Sequence, residues 1–192
     1  MRSHQYVLGL IADYQNVYKA EDANVSSTLF DQLNADGDVF DRKNFSGHIT
    51  SSGLVLNQSF DKILLINHKF LQMWLQPGGH VEGEGEIYKE AMREVTEETA
   101  LSALKLHRWH QNNPRPDIPF SIDSHNIPKS DKKHEDAHIH HDFTYLFVGD
   151  SSQKLTRQIE EVEAARWFAL DDVKNLKTDI HKFIERVQKY II

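Results

Sequence analysis

Five apolar side chains, Ile87, Tyr88, Ala91, Met92 and Val95, recur at the three- and four-residue spacing of one helix face. Glu90, Glu94, Glu97 and Glu98 fall on a second stripe beside them, so the pattern predicts an amphipathic helix over residues 86–98, with Glu94 and Glu98 at the border of its buried face. Just upstream, Pro77-Gly78-Gly79 bends the chain before the helix begins. Two further helices are predicted over 3–20 and 26–35, the second opening on Ser26-Ser27-Thr28 as a cap and ending near Asn34-Ala35-Asp36-Gly37.

From Gly47 the hydrophobic period falls to two, predicting strands over 49–56 and 62–67 joined by a turn at 57–61, a hairpin or meander. Residues 101–109 read as a strand. Residues 110–136 are polar and hold Pro114, Pro116, Pro119 and Pro128, so they read as loop with a short strand at 120–122. Residues 138–148 alternate: Ile139, His141, Phe143, Tyr145 and Phe147 face one way, and His138, His140, Asp142 and Thr144 the other. A strand over 165–169, a short helix over 170–176 and a last helix burying Ile180, Phe183, Ile184, Val187 and Ile191 complete the chain. Strands before, between and after helices predict an α/β fold, a mixed sheet covered on both faces. Residues 1–44 are expected to form a small helical extension and 45–192 the main domain.

The 192 residues suffice for one hydrophobic core, and 39% apolar with 27% charged residues is ordinary for a globular chain. No apolar run reaches membrane-spanning length, so no membrane partner is expected. The apolar stretch 7–12 is too short for a signal-peptide core, and a cytoplasmic location is the expectation. The absence of Cys excludes disulfides, thiolate zinc sites and a cysteine nucleophile. A formal charge of -7 argues against nucleic acid as a partner, the Lys129, Lys132, Lys133 cluster being short. An acidic protein acting on an anionic substrate must recruit a divalent cation.

That cation is expected among Glu94, Glu97 and Glu98, which share one helical face at i, i+3 and i+4 and repel one another without it. The plain alternative is a solvated acidic face paired with lysines such as Lys89. His138, His140 and Asp142 are the next candidates, two imidazoles and a carboxylate able to hold a metal or act as general base, against the alternative of a polar, water-facing edge. His80, just after the glycines, could reach a phosphate or be a plain surface residue of the turn, Trp74 and Phe70 could stack on a base or join the core, and His125 could face the cavity of the histidine strand.

The run from Gly79 through Arg93-Glu94-Val95-Thr96-Glu97-Glu98 to Leu101 closely resembles the Nudix box, which reads Gly, five residues, Glu, seven residues, Arg-Glu-aliphatic-any-Glu-Glu-any-Gly-aliphatic. The chain departs from it at Gly85, where the family has its first Glu, and at Ala100, where it has Gly. The resemblance implies an α/β/α Nudix sandwich with a mixed sheet plus the N-terminal helical extension. It implies a pyrophosphohydrolase dependent on Mg2+ or Mn2+ that cleaves a phosphoanhydride in a nucleoside diphosphate linked to another group. Glu94, Glu97, Glu98 and the Gly79 carbonyl would hold the metal, and Arg93 would orient a neighbouring glutamate, with Glu82, Glu84 or Glu86 replacing the partner lost at Gly85. His138, His140 or Asp142 would supply the base, and His80, Trp74 and His125 would meet the substrate. The rival within the family is a weakened domain that binds a nucleotide ligand as a sensor. Prenyl diphosphate isomerisation resembles a family that relies on a catalytic Cys, absent here, and a histidine-based structural metal protein is a further alternative. A homodimer is open.

Overall fold

The computed structural model describes residues 3–18, 23–131 and 135–192. The expected end of the first helix at 19–20, the basic pair Lys132 and Lys133, and His134 lie outside the described residues.

Helix α1 (His4–Val17) is capped by Ser3, whose side chain accepts the Tyr6 N–H, and buries Val7, Leu10, Ile11 and Tyr14 at helical spacing. Helix α2 (Ser27–Asn34) is capped by Ser26 and buries Leu29 and Leu33. Strands β1 (His48–Asn57), β2 (Lys62–His68), β3 (Met73–Leu75) and β4 (Gly78–His80) lead into α3 (Ile87–Thr99). Then come β5 (Lys105–Leu106), α4 (Arg108–Gln111), β6 (Ser121–Ile127), β7 (His138–Gly149), β8 (Val162–Ala169), a 3-10 turn (Leu170–Asn175) and α5 (His181–Tyr190).

The strands form one mixed sheet built on β1 and β7, which pair in parallel from His48↔His140 to Asn57↔Gly149. β4 pairs with the first half of β1 and β2 with the second, both antiparallel. On β7 the same division falls to β6 and β5, while β3 and β8 extend the sheet from β2. One face buries Ile49, Val55, Phe143, Tyr145 and Phe147 against α1, α2 and the Ile87, Ala91, Val95 stripe of α3. The other buries Leu54, Leu56 and Leu146 against the 3-10 turn and Ile180, Phe183, Ile184 and Val187 of α5. The expected mixed α/β architecture with helices on both faces is what the chain forms.

The N-terminal helices belong to the first of these cores. Tyr6 Oη donates to Asp117 Oδ2 at 3.1 Å, Tyr18 Oη donates to the Phe120 carbonyl at 2.9 Å, and Gln32 Nε2 donates to the Ser46 carbonyl at 2.6 Å. Arg186 of α5 donates to Tyr14 Oη at 2.9 Å and lies 3.9 Å from the Tyr18 ring centroid, a cation stacked among aromatics.

Two expectations are corrected. Residues 101–109 do not form a strand: Ala100 and Ala103 take positive φ, only Lys105–Leu106 pairs with β7, and His107 then caps α4 by accepting the Trp109 N–H. The segment 110–136 is more than loop, since β6 runs to Ile127 and pairs with β7 throughout its length. Its Ser, Asp, His and Asn side chains carry no apolar alternation because they face the polar end of β7, so the period that identifies a half-buried strand is missing. The α4 turn places His110 wholly inside, Nδ1–H donating to the Ile118 carbonyl at 3.0 Å and Nε2 accepting the Leu146 N–H at 3.0 Å.

Burial holds His110 down to about 4, against about 6.5 for an exposed histidine. The unfolded chain therefore binds the extra proton first, and stability falls as pH drops from about 6.5 toward 4. His110 alone is expected to cost about 2 kcal/mol between pH 7 and pH 5. Urea unfolding across that window measures it, and His110→Gln should lack that share of the slope. At the end of α3, Ala100 sits at φ 56°, the left-handed cap that glycine adopts without a Cβ penalty. Ala100→Gly is expected to stabilise by up to about 1 kcal/mol, a rise of roughly 2–4 °C in thermal midpoint.

Candidate active site

Folding the apolar stripe of α3 onto β1 and β7 carries the adjoining glutamates to the seam between α3 and β4. Glu90 and Glu98 are buried, Glu94 is nearly so, and the side chain of Glu97 is 54% exposed. Gly78 N–H donates to Glu98 Oε2 at 3.0 Å. A Cβ on Gly79 would stand 2.7 Å from Glu94 Oε1, and one on Gly78 would stand 2.8 Å from the Ser51 carbonyl, so only glycines let this strand pass so close to both helix and sheet.

Arg93 ties the seam together. Its Nε donates to Glu90 Oε2 at 3.0 Å, Nη1 to Glu97 Oε2 at 2.8 Å, and Nη2 to Glu94 Oε1 at 2.8 Å and the His80 carbonyl at 3.1 Å. The glutamate that takes Arg93 Nε is Glu90, rather than Glu82, Glu84 or Glu86. Glu90 also accepts the Gly83 N–H, while Glu86 pairs with Lys89. The signal for Glu90 was present in the i, i+3 spacing to Arg93. Lys89 is thus engaged before the helix face that carries Glu94 and Glu98.

Burial raises the Glu98 carboxyl to about 8, the Gly78 N–H opposing this and Glu94, Glu161 and Glu97 adding to it. Burial likewise raises Glu94, with Arg93 opposing. Hard carboxylate oxygens crowded at a backbone carbonyl strand, and held against ionisation by one another, suit a hard divalent cation that would relieve both effects.

The histidine strand lies on the other side of the sheet. In β4 the Cβ direction of Gly79 meets Glu94, so the side chain of His80 points to the opposite face, where it joins His48, His138 and His140. His138, His140 and Asp142, the residues expected to offer a base, thus lie on the sheet face opposite the Cβ direction of Gly79. Asp142 is occupied as an acceptor for Thr50 at 3.1 Å, Ser52 at 2.5 Å and Thr144 at 2.9 Å, so it is not an open base. His125 pairs in register with His140, its Nδ1 3.3 Å from Asp123 Oδ2. His141 turns to the α2 face as expected, bonded to Ser124 and Gln32. Trp74 packs edge-on against Phe168 at 4.7 Å beneath Arg166, and Phe70 is exposed. His48, absent from the candidates drawn from sequence, becomes one only when the parallel register sets it beside His140.

A model of the NUDIX domain matches residues 47–187, and the chain belongs to that family. It is 33% identical over 123 residues to the "Probable DHNTP pyrophosphohydrolase" of Lactococcus lactis subsp. cremoris (strain MG1363), a match covering 64% of this chain and 63% of that protein. It is 31% identical over 136 residues to the m7GpppN-mRNA hydrolase NUDT17 of Homo sapiens, covering 61% of this chain and 37% of that protein. The chain thus spans less than two thirds of the length of these curated relatives. The structure of the E. coli dihydroneopterin triphosphate pyrophosphohydrolase shares the fold at a TM-score of 0.54 and 12% identity, over 74% of this chain and 94% of that one. Among the described residues no helix is long and apolar enough to cross a membrane.

The glycines give a paired prediction. Gly78→Ala is expected to cost about 1–3 kcal/mol because its Cβ meets backbone that cannot yield. Gly85→Ala, whose Cβ would find Lys89 Cδ at 3.9 Å and nothing closer, should leave stability within about 0.5 kcal/mol or raise it. Thermal melts of the two variants beside the parent check this.

Proposed function

We propose that this NUDIX domain is a divalent-cation-dependent pyrophosphohydrolase that cleaves a phosphoanhydride in a nucleoside diphosphate linked to another group. The observation that carries the proposal is the pair of glutamates, buried Glu98 and mostly buried Glu94, pressed by α3 against Gly78 and Gly79. In this reading Glu94, Glu97, Glu98 and the Gly79 carbonyl hold Mg2+ or Mn2+, the oxygen donors these cations prefer. When bound, the cation neutralises the diphosphate and acidifies water for attack on phosphorus.

The chain's own residues do the positioning. Arg93, fixed by four acceptors, holds Glu94 and Glu97 in place and anchors the His80 carbonyl beside Gly79. Glu90 is a positioning residue in place of the glutamate missing at Gly85, locking Arg93 from one side and the Gly83 backbone from the other. His80 and His125 are assigned to the substrate's leaving portion in this reading, the side chain of His125 being 47% exposed. The name of the Lactococcus relative supports adding a pteridine triphosphate to the substrates tried. The protein is proposed to work in the cytoplasm.

Mg2+- or Mn2+-dependent turnover of nucleoside diphosphate derivatives, followed by product analysis in oxygen-labelled water, tests the proposal. Glu98→Gln is expected to lower kcat by about 100-fold or more, and Glu90→Gln by roughly 10-fold at nearly unchanged KM. Gly85→Glu restores the family's residue at a position where a Cβ makes only an ordinary contact with Lys89 Cδ at 3.9 Å, and it is expected to fold normally and to rescue much of the Glu90→Gln loss. Gly85 also favours a second reading, a ligand-binding sensor. Tight nucleotide binding by the parent protein with no cation-dependent turnover would select that reading and overturn the enzyme.

A further inference from the structure

The sheet face turned away from the α3 glutamates collects histidines from adjacent strands. β4 supplies His80, β1 supplies His48 and β7 supplies His140, which the register places directly beside His48. Their ring centroids lie 4.8 to 5.5 Å apart, and one ring nitrogen from each falls within 4.8 Å of the others. We propose that His48, His80 and His140 form a binding site for a first-row transition cation of the zinc class, separate from the oxygen-donor site on α3.

The hydrogen bonding around the cluster supports a metal rather than a packed core. His48 is 1% exposed, and its Nδ1–H donates to the Asn44 carbonyl at 3.3 Å. That bond leaves the Nε2 lone pair facing inward, and Nε2 is buried without a hydrogen-bond partner among the described residues. An unpaired buried nitrogen is costly, and a ligating imidazole characteristically gives its other N–H to a carbonyl. His138 repeats the device: its Nδ1–H donates to the Asp136 carbonyl at 2.6 Å, and its Nε2 stands 3.1 Å from His140 Nε2, so it orients His140 as a positioning residue.

The donor set selects the ion. Imidazole nitrogens favour Zn, Co, Ni and Cu over Mg, which takes oxygen. Tetrahedral zinc with bonds of about 2.0–2.1 Å asks for nitrogens about 3.3 Å apart, so the rings must close in around the ion. His80 and His140 are both half-buried, and His48 is buried. Asp142 is not a competing ligand because three hydroxyls already donate to it. A bound ion would stitch β4, β1 and β7 together behind Gly78 and Gly79.

Titrating the whole chain with Co2+ in excess Mg2+, followed by visible absorption, tests this. One Co2+ per chain is expected, with an intense nitrogen-ligand band that Zn2+ displaces. The band should be unchanged in Glu98→Gln and lost in His80→Ala and in His48→Gln, each confirmed folded by circular dichroism. No band in the parent, a band surviving in a folded His80→Ala or His48→Gln, or a band lost in Glu98→Gln would overturn the site. None of these outcomes depends on hydrolysis, so the two proposals fail separately.

Discussion

Carboxylates buried at a helix–strand seam are the constraint around which this chain is arranged. The apolar stripe of α3 must reach the sheet, and in doing so it drags Glu90 and Glu98 out of water and leaves Glu94 only a little exposed. Burying a carboxylate is tolerable only where hydrogen bonds and opposite charge meet it. Here the backbone N–H of Gly78 meets Glu98, and the fork of Arg93 meets Glu90, Glu94 and Glu97. The first device needs β4 within hydrogen-bond reach of the helix, which is why two glycines stand where any side chain would collide.

The same strand turns two chemistries apart. Successive side chains on a strand point to opposite faces, so Gly79 opens toward oxygen donors while His80 points to a cluster of nitrogen donors. One thickness of backbone separates them, and Arg93 Nη2 joins the His80 carbonyl to the Glu94 carboxylate from the α3 side. Hard and borderline cations are thus offered different ligands across a single pleat.

The N-terminal helices matter to this arrangement because they cover the sheet beside α3. Without Val7, Leu10, Ile11 and Tyr14, the Phe143 and Tyr145 face would be open, and Gln32 would no longer hold His141 in its neutral, hydrogen-bonded place. The aromatic cage around Arg186 then links this first core to α5 on the far side of the sheet.

Local pattern sufficed for the elements with strong periodicity: α3, the face alternation of β7, β1 with β2, and the last helix all follow from apolar spacing. The box spacing likewise marked Gly79, Arg93, Glu94, Glu97 and Glu98. It was silent where polar residues face polar residues, as along β6, and where a turn is forced by non-glycine residues at positive φ, as at Ala100 and Ala103. The sequence by itself determined the chemistry available, acidic side chains on one helix face and imidazoles on one strand, because spacing within an element is local. Only the tertiary structure decided which groups meet: that Glu90 completes the Arg93 network, that Asp142 is spent on hydroxyls, and that His48 and His80 join His140 across strands. Register between distant segments is set by the whole packed sheet, and no local spacing encodes it.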